Sequence, residues 1–210
     1  MIILRYFFRL FFKLLYGFTI DKKNLLELKD KKLIVVANHT SSLDPLILGA
    51  SLNRKPIFLA KKELLDGHLG CLFKIFNLIR VDRDHPGNVI DQAVERLNSG
   101  GLIVLFPEGT RHNKKPHQLL PFKFGAVKMA QLTNAPIIPC AITENPKLCR
   151  RRKNKIIFGK PLYVKKTDAI TAKNNQLRQS VADLLMNIEG AKIKLVGSVP
   201  AKNPSKSAPR

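Results

Sequence analysis

Acidic residues, cysteines and internal repeats are all scarce in this chain. Its 210 residues carry 37 Lys and Arg but only 15 Asp and Glu, a net charge of +22. An imbalance of that size points to anionic partners. The three cysteines, Cys71, Cys140 and Cys149, are odd in number and show neither a metal spacing nor a disulfide framework. Free thiols in a reducing compartment are the expectation. The histidines His68, His85, His112 and His117 lack ligand spacing, so no metal is expected. His112 and His117 flank a basic loop and read as solvated. No small-residue cleavage site follows the apolar N-terminal stretch, which argues against a cleaved signal peptide. No recognition helix, zinc spacing or aromatic RNA-binding signature accompanies the charge, so nucleic acid is not the expected partner.

What is present is enough for one globular domain with a sizeable core, since 45% of the residues are hydrophobic. The charge is uneven. Residues 1–144 hold 21 basic and 12 acidic side chains, net +9, whereas residues 145–210 hold 16 and 3, net +13. Arg150-Arg151-Arg152-Lys153 is the densest patch. An anionic membrane surface would attract such cations at about 1 kcal/mol each. An acidic protein or a phosphate-rich small molecule would feel the same field.

The first eighteen residues, Met1 to Phe18, alternate apolar and basic side chains. Arg5, Arg9 and Lys13 recur every four residues, which confines them to about 80° of a helix surface. Leu4, Phe7, Phe11, Leu14 and Phe18 fall opposite, with Tyr6 and Tyr16 near the border. A spanning helix would place Arg9 and Lys13 near mid-bilayer at about 2.5–3.5 kcal/mol each, close to what the apolar residues return. An amphipathic helix lying in the membrane interface keeps the cations hydrated and is the preferred reading; a core helix is a further alternative.

Beyond this segment, apolar runs alternate with helical patterns. Strands are expected at Leu33–Ala37, Pro56–Ala60, Leu78–Asp82, Leu102–Phe106, Ile137–Ile142 and Lys155–Phe158. Helices are expected at Pro45–Ser51, Leu69–Phe76, Asn88–Asn98, Phe124–Thr133 and Thr171–Ile188. The alternation predicts an α/β fold, a largely parallel central sheet flanked by helices. The chain then divides into an interface helix (1–20), a main α/β domain (21–190) and a basic tail (191–210) that reads as disordered.

Two motifs carry the chemistry. Asn38-His39-Thr40-Ser41-Ser42-Leu43-Asp44-Pro45 follows the run Leu33 to Ala37, at the strand end where open α/β sheets bind ligands. There His39 could take a proton from a hydroxyl, with Asp44 fixing its tautomer. Asp44 and Pro45 also suit a plain helix start, with Asp44 as N-cap and His39 an ordinary loop residue. Phe106-Pro107-Glu108-Gly109-Thr110-Arg111 follows the second run, Leu102 to Phe106. Backbone amides around Gly109, the Thr110 hydroxyl and the Arg111 fork could bind an anion, and Glu108 could accept from a substrate hydroxyl. An ordinary turn with a solvated arginine is the other reading.

In this order the motifs resemble the glycerolipid acyltransferase family: His, four residues, Asp; an arginine block; Phe-Pro-Glu-Gly-Thr; and an apolar proline block. Ile79-Arg80-Val81-Asp82-Arg83 matches the arginine block, and Ala135-Pro136-Ile137-Ile138-Pro139-Cys140-Ala141-Ile142 the proline block. Asn77 or Leu78 stands where the family often has glycine. The resemblance implies that His39 is the general base and Asp44 its partner. It implies that Arg83, Glu108, Gly109, Thr110 and Arg111 hold the phosphate and glycerol of a lysophospholipid. Lys123, in Pro121-Phe122-Lys123-Phe124-Gly125, is a further phosphate ligand or else a solvated helix-start lysine; Arg80 reads equally as a surface charge. An apolar tunnel for the acyl chain is implied too. So is acyl transfer from acyl-CoA or acyl carrier protein, as co-substrate and without a cofactor, to 1-acylglycerol 3-phosphate. The expected setting is the cytoplasmic face of a bacterial inner membrane. A different lysolipid acceptor, and a non-enzymatic basic protein binding membrane or nucleic acid, are the competing readings.

Overall fold

In the computed structural model, residues 17–21, 23–26, 31–61, 77–81, 87–111, 117–144 and 154–197 are described, with Leu10, Phe11 and Leu15. The elements are β1 (Thr19–Asp21), α1 (Lys23–Leu26), β2 (Leu33–Ala37), α2 (Asp44–Ser51), β3 (Pro56–Lys61), β4 (Asn77–Val81), α3 (Gly87–Asn98) and β5 (Leu102–Leu105). There follow β6 (Gln118–Leu119), α4 (Gly125–Thr133), β7 (Ile137–Ile142), β8 (Lys155–Phe158), α5 (Ile170–Glu189) and β9 (Lys194–Leu195).

Seven strands form one sheet in the order β1-β8-β7-β2-β5-β3-β4. Every pairing in it is parallel except β7 with β8. The expected largely parallel α/β sheet is therefore present. Strands β2, β5 and β7 are buried along their whole length, as a parallel sheet covered on both faces requires. Successive side chains point to opposite faces. Ile34, Val36, Ile103 and Leu105 face the layer formed by α3, α4 and α5. Leu33, Val35, Leu102 and Val104 face α1 and α2.

The register fixes where the motifs emerge. Val36 pairs with Leu105, so β2 and β5 end at the same level, side by side and pointing the same way. The loops after Ala37 and after Leu105 thus leave one edge of the sheet together. That placement rests on two short β-branched runs, Leu33 to Ala37 and Leu102 to Leu105, that can be buried on both faces.

Several expectations shift. Strand β4 begins and ends one residue earlier than expected, at Asn77 and Val81, and Arg80 within it is exposed. Helix α2 begins at Asp44, with Leu43 as its N-cap, so Asp44 is not the cap. The tail does not part from the domain at Ala191. Gly190 ends α5 in the left-handed conformation that glycine adopts most readily, and its N–H returns to Met186 O. The chain then buries Ile193 and pairs Lys194–Leu195 with Gln118–Leu119. An apolar residue at position 193 and free ladder groups on Gln118–Leu119 outweigh the polar composition around them. The expected helix at Leu69–Phe76 and the tail beyond Gly197 lie outside the described residues. So does most of the expected interface helix, of which Leu10 and Phe11 are helical and exposed. Among the described residues, no helix is long and apolar enough to cross a membrane.

Candidate active site

The turn after β2 is drawn together by one oxygen atom. Asp44 Oδ2 accepts the backbone N–H of Thr40 at 2.8 Å and of Ser41 at 2.8 Å, and lies 3.0 Å from His39 Nδ1. The carboxylate is fully buried, and the His39 side chain is 17% exposed. A helix cap would aim this carboxylate at the amides that follow it; Asp44 aims it back at those that precede it. Hydrogen bonds to a charged acceptor are worth about 1.5–3 kcal/mol each, enough to hold the loop closed over the buried group. Because the carboxylate can only accept, Nδ1 carries the proton and Nε2 is the unprotonated nitrogen.

Three further residues support His39, one at its ring and two through the main chain. Phe106 stacks on it, with ring centroids 4.3 Å apart and 24° between planes. Asn38, buried before His39, donates from Nδ2 to Ile142 O at 3.0 Å and accepts Ile142 N–H on Oδ1 at 2.9 Å. It extends the β2–β7 ladder by a side chain where the backbone turns away. Glu108 Oε1 accepts the His39 N–H at 3.0 Å.

Glu108 has a structural part that the motif alone does not show. Its other oxygen, Oε2, accepts the Leu120 N–H at 2.9 Å, so both oxygens are bonded to backbone amides. The residue is 7% exposed. Burial pushes its carboxyl up to about 7, against the two amides and the Arg178 guanidinium, which hold it down. It is a brace between the two loops.

The turn itself closes from Gly109 N–H to Phe106 O at 3.1 Å. Proline second and glycine fourth suit such a turn, and Gly109 has φ +68°. A Cβ on Gly109 would lie 2.8 Å from Lys123 Nζ and 2.7 Å from its Cε, so the lysine amine rests against this glycine. The Lys123 N–H is anchored on Pro107 O at 2.9 Å. Lys123, Thr110 and Arg111 are exposed, a cation pair and a hydroxyl around an open turn. Arg83 lies outside the described residues.

The acyltransferase family model matches residues 17–143, which include β2, β5 and both loops. The chain belongs to the acyltransferase family. This membership leaves a purely charge-driven binding protein without an observation of its own. The chain is 31% identical over 140 residues to the 1-acyl-sn-glycerol-3-phosphate acyltransferase of Bacillus subtilis, covering 64% of this chain and 68% of that protein. It is 37% identical over 120 residues to a probable 1-acyl-sn-glycerol-3-phosphate acyltransferase of Mycoplasma pneumoniae, covering 53% of this chain but 44% of that protein. In fold it is similar to the crystal structure of the 1-acyl-sn-glycerophosphate acyltransferase of Thermotoga maritima. That match has a TM-score of 0.66 at 22% identity and covers 85% of this chain and 74% of the other.

Sequence reasoning placed His39, Asp44, Arg83, Glu108, Gly109, Thr110, Arg111 and Lys123 in one neighbourhood; the fold brings His39 to Asp44 and Glu108, and Gly109 to Lys123, with Thr110 and Arg111 exposed and Arg83 outside the described residues. It gave no role to Asn38 or Phe106, although both lie inside the two motifs. It passed over Arg178, whose signal was a lone arginine on the buried face of α5, among Asn174, Leu177, Val181, Ala182 and Leu185. His117 is not simply solvated: its N–H donates to Glu144 Oε2 at 2.9 Å, and its Nδ1 lies 3.5 Å from that oxygen. Cys140 is a buried free thiol. Among the described residues, no group of three His, Cys, Asp or Glu side chains could hold a metal ion.

Proposed function

We propose that this acyltransferase moves a fatty acyl group from an acyl thioester to the free hydroxyl of a 1-acylglycerol 3-phosphate, giving phosphatidic acid. The carrying observation is the His39–Asp44 pair, 3.0 Å apart, on the sheet edge that also presents Lys123 over the Gly109 turn. His39 Nε2 removes the acceptor's hydroxyl proton as its oxygen attacks the thioester carbonyl. The tetrahedral adduct collapses, the carbon–sulfur bond breaks, and the leaving thiolate takes the proton from the imidazolium. Asp44 keeps Nδ1 protonated and stabilises the imidazolium between these steps. No acyl-enzyme is required.

Lys123, Thr110, Arg111 and the Gly109 turn would hold the acceptor's phosphate, with Arg83 as a further ligand; Glu108 keeps the two loops in register. The donor is acyl-CoA or acyl carrier protein, either steered by the chain's positive field. A net charge of +22 suits an anionic membrane surface, where the lysolipid resides. The expected location is the cytoplasmic face of a bacterial inner membrane.

The test is thioester turnover by the purified full chain with lysophosphatidic acid, beside His39→Ala. Turnover that disappears in the variant supports the reading. A folded His39→Ala protein that keeps most of its activity overturns the mechanism. Turnover that glycerol phosphates fail to inhibit moves the acceptor to another lysolipid.

A further inference from the structure

Helix α5 supplies neither motif, yet its buried face reaches the back of the site. Arg178 is 8% exposed and spends its guanidinium on main-chain carbonyls. Nη2 donates to Leu119 O at 2.6 Å and to Val196 O at 2.7 Å, and Nη1 to Gly197 O at 2.9 Å. One turn earlier, Asn174 Nδ2 donates to Phe122 O at 2.7 Å. The segment between these two anchors contains Leu120, whose N–H donates to Glu108.

The strand β9 backs the same segment. Lys194 N–H donates to His117 O at 2.8 Å, and Val196 N–H to Leu119 O at 3.1 Å. Arg178 thus ties β9 and β6 together from beneath. From there the connections run Leu119, Leu120 N–H, Glu108 and His39 N–H, all through bonds of ordinary length. Burying a guanidinium is costly unless its protons are used; here Nη1 and Nη2 are bonded, while Nε is buried without a hydrogen-bond partner among the described residues. A stabilising role alone would be met as well by an apolar residue on this face, which otherwise carries Leu177, Val181 and Leu185.

We propose that Arg178 is a positioning residue of the acyltransferase site, clamping the Leu119–Leu120 segment to β9 so that Glu108 stays seated on the His39 amide. This rests on the reading of His39 as the base. Among the described residues, two charged groups act on Glu108: Arg178 from α5, which favours the carboxylate, and Glu144 after β7, which opposes it. Glu144 is in turn held by His117 and by Glu189 Oε1, which accepts its N–H at 2.9 Å. Removing the guanidinium therefore loosens the brace and makes Glu108 easier to protonate.

The experiment compares kcat and KM over pH 5.5–9 for the full chain, Arg178→Met, Arg178→Lys and His39→Ala, with thermal unfolding followed alongside. Arg178→Met is expected to lower kcat about 10–100-fold with KM nearly unchanged, the size of effect that a small misplacement of a catalytic group produces. Its acidic limb should move to higher pH by about one pH unit. Arg178→Lys keeps the charge but not the fork, and should restore the limb while recovering kcat only in part. A folded Arg178→Met protein with unchanged kcat and limb overturns the proposal, as does a loss confined to KM. If Arg178→Met does not fold, Arg178→Lys decides: full kcat would overturn the clamp. Activity surviving in His39→Ala would instead overturn the mechanism, whatever the Arg178 variants do.

Discussion

The loop Asn38–Asp44 closes largely on itself, whereas the segment Phe106–Lys123 is held by distant parts of the chain. In the first, Asp44 bonds to residues three, four and five positions away. In the second, Glu108 reaches His39 sixty-nine positions upstream, and Leu119 is gripped by Arg178 fifty-nine positions downstream. A local loop survives small errors elsewhere and can carry the reacting atom. A braced segment transmits the state of the whole fold to the site. The two meet at the His39 backbone amide and at the His39–Phe106 stack.

This difference sets the ranking of variants. On the proposed mechanism His39→Ala removes the proton acceptor, and it should lower kcat about 10²–10⁴-fold, read by thioester turnover. Its unfolding midpoint should barely move, because the side chain is partly exposed and the Asp44–amide bonds remain. Asp44→Asn should approach the same loss in kcat, since an amide can donate to Nδ1 and so favour the wrong tautomer. Unlike His39→Ala, it should also lower the unfolding midpoint, because charge-assisted bonds of about 1.5–3 kcal/mol become neutral ones. Equal stability of the two variants would show that the loop does not depend on Asp44.

Legibility in the sequence followed the same division. The strands β2, β5 and β7 were readable because buried parallel strands are short β-branched runs, and their parallel order put His39 beside Phe106. The His39–Asp44 pair was readable because its partners lie within one turn. The brace was not. Nothing local distinguishes a glutamate that meets substrate from one that meets the His39 and Leu120 amides, and the motif alone points Glu108 at substrate. Arg178, Asn174 and β9 act on main-chain carbonyls, which no side-chain motif records. The composition of residues 191–197 argued for disorder, while what decided it was an open ladder on Gln118–Leu119.

The brace also predicts opposite pH trends for activity and stability. The Glu108 carboxyl rises from its usual 4.5 to about 7 on burial, so between those values the folded chain binds this proton more tightly than the unfolded chain. By linkage, the group's contribution to stability falls as pH rises through that window, by about 1.4 kcal/mol for each pH unit crossed. Activity should rise through the same window, because only the carboxylate accepts both the His39 and Leu120 amides. Glu108→Gln cannot titrate, so the stability trend should flatten, with kcat reduced about tenfold or more by a misplaced His39. Thermal unfolding and turnover measured between pH 5 and 8 check this. If stability and activity rise together in wild type, Glu108 is not the titrating brace.

The smallest expected effect tests whether Lys123 is placed or merely nearby. Lys123→Ala should raise KM for the lysophospholipid and leave kcat nearly unchanged, because its amine lies at the turn and not on His39. Gly109→Ala should raise KM as well, by pushing a methyl into the space where Lys123 Cε and Nζ now lie 2.7 and 2.8 Å from a would-be Cβ. It also costs roughly 1–2 kcal/mol for a side chain at positive φ. The two effects on KM should not add. With Lys123 shortened, the methyl no longer meets the lysine chain, so Gly109→Ala should change KM little in that background while its cost to stability persists. If the KM effects multiply, Gly109 acts on the phosphate through its own amide, and the turn binds the acceptor without help from the lysine.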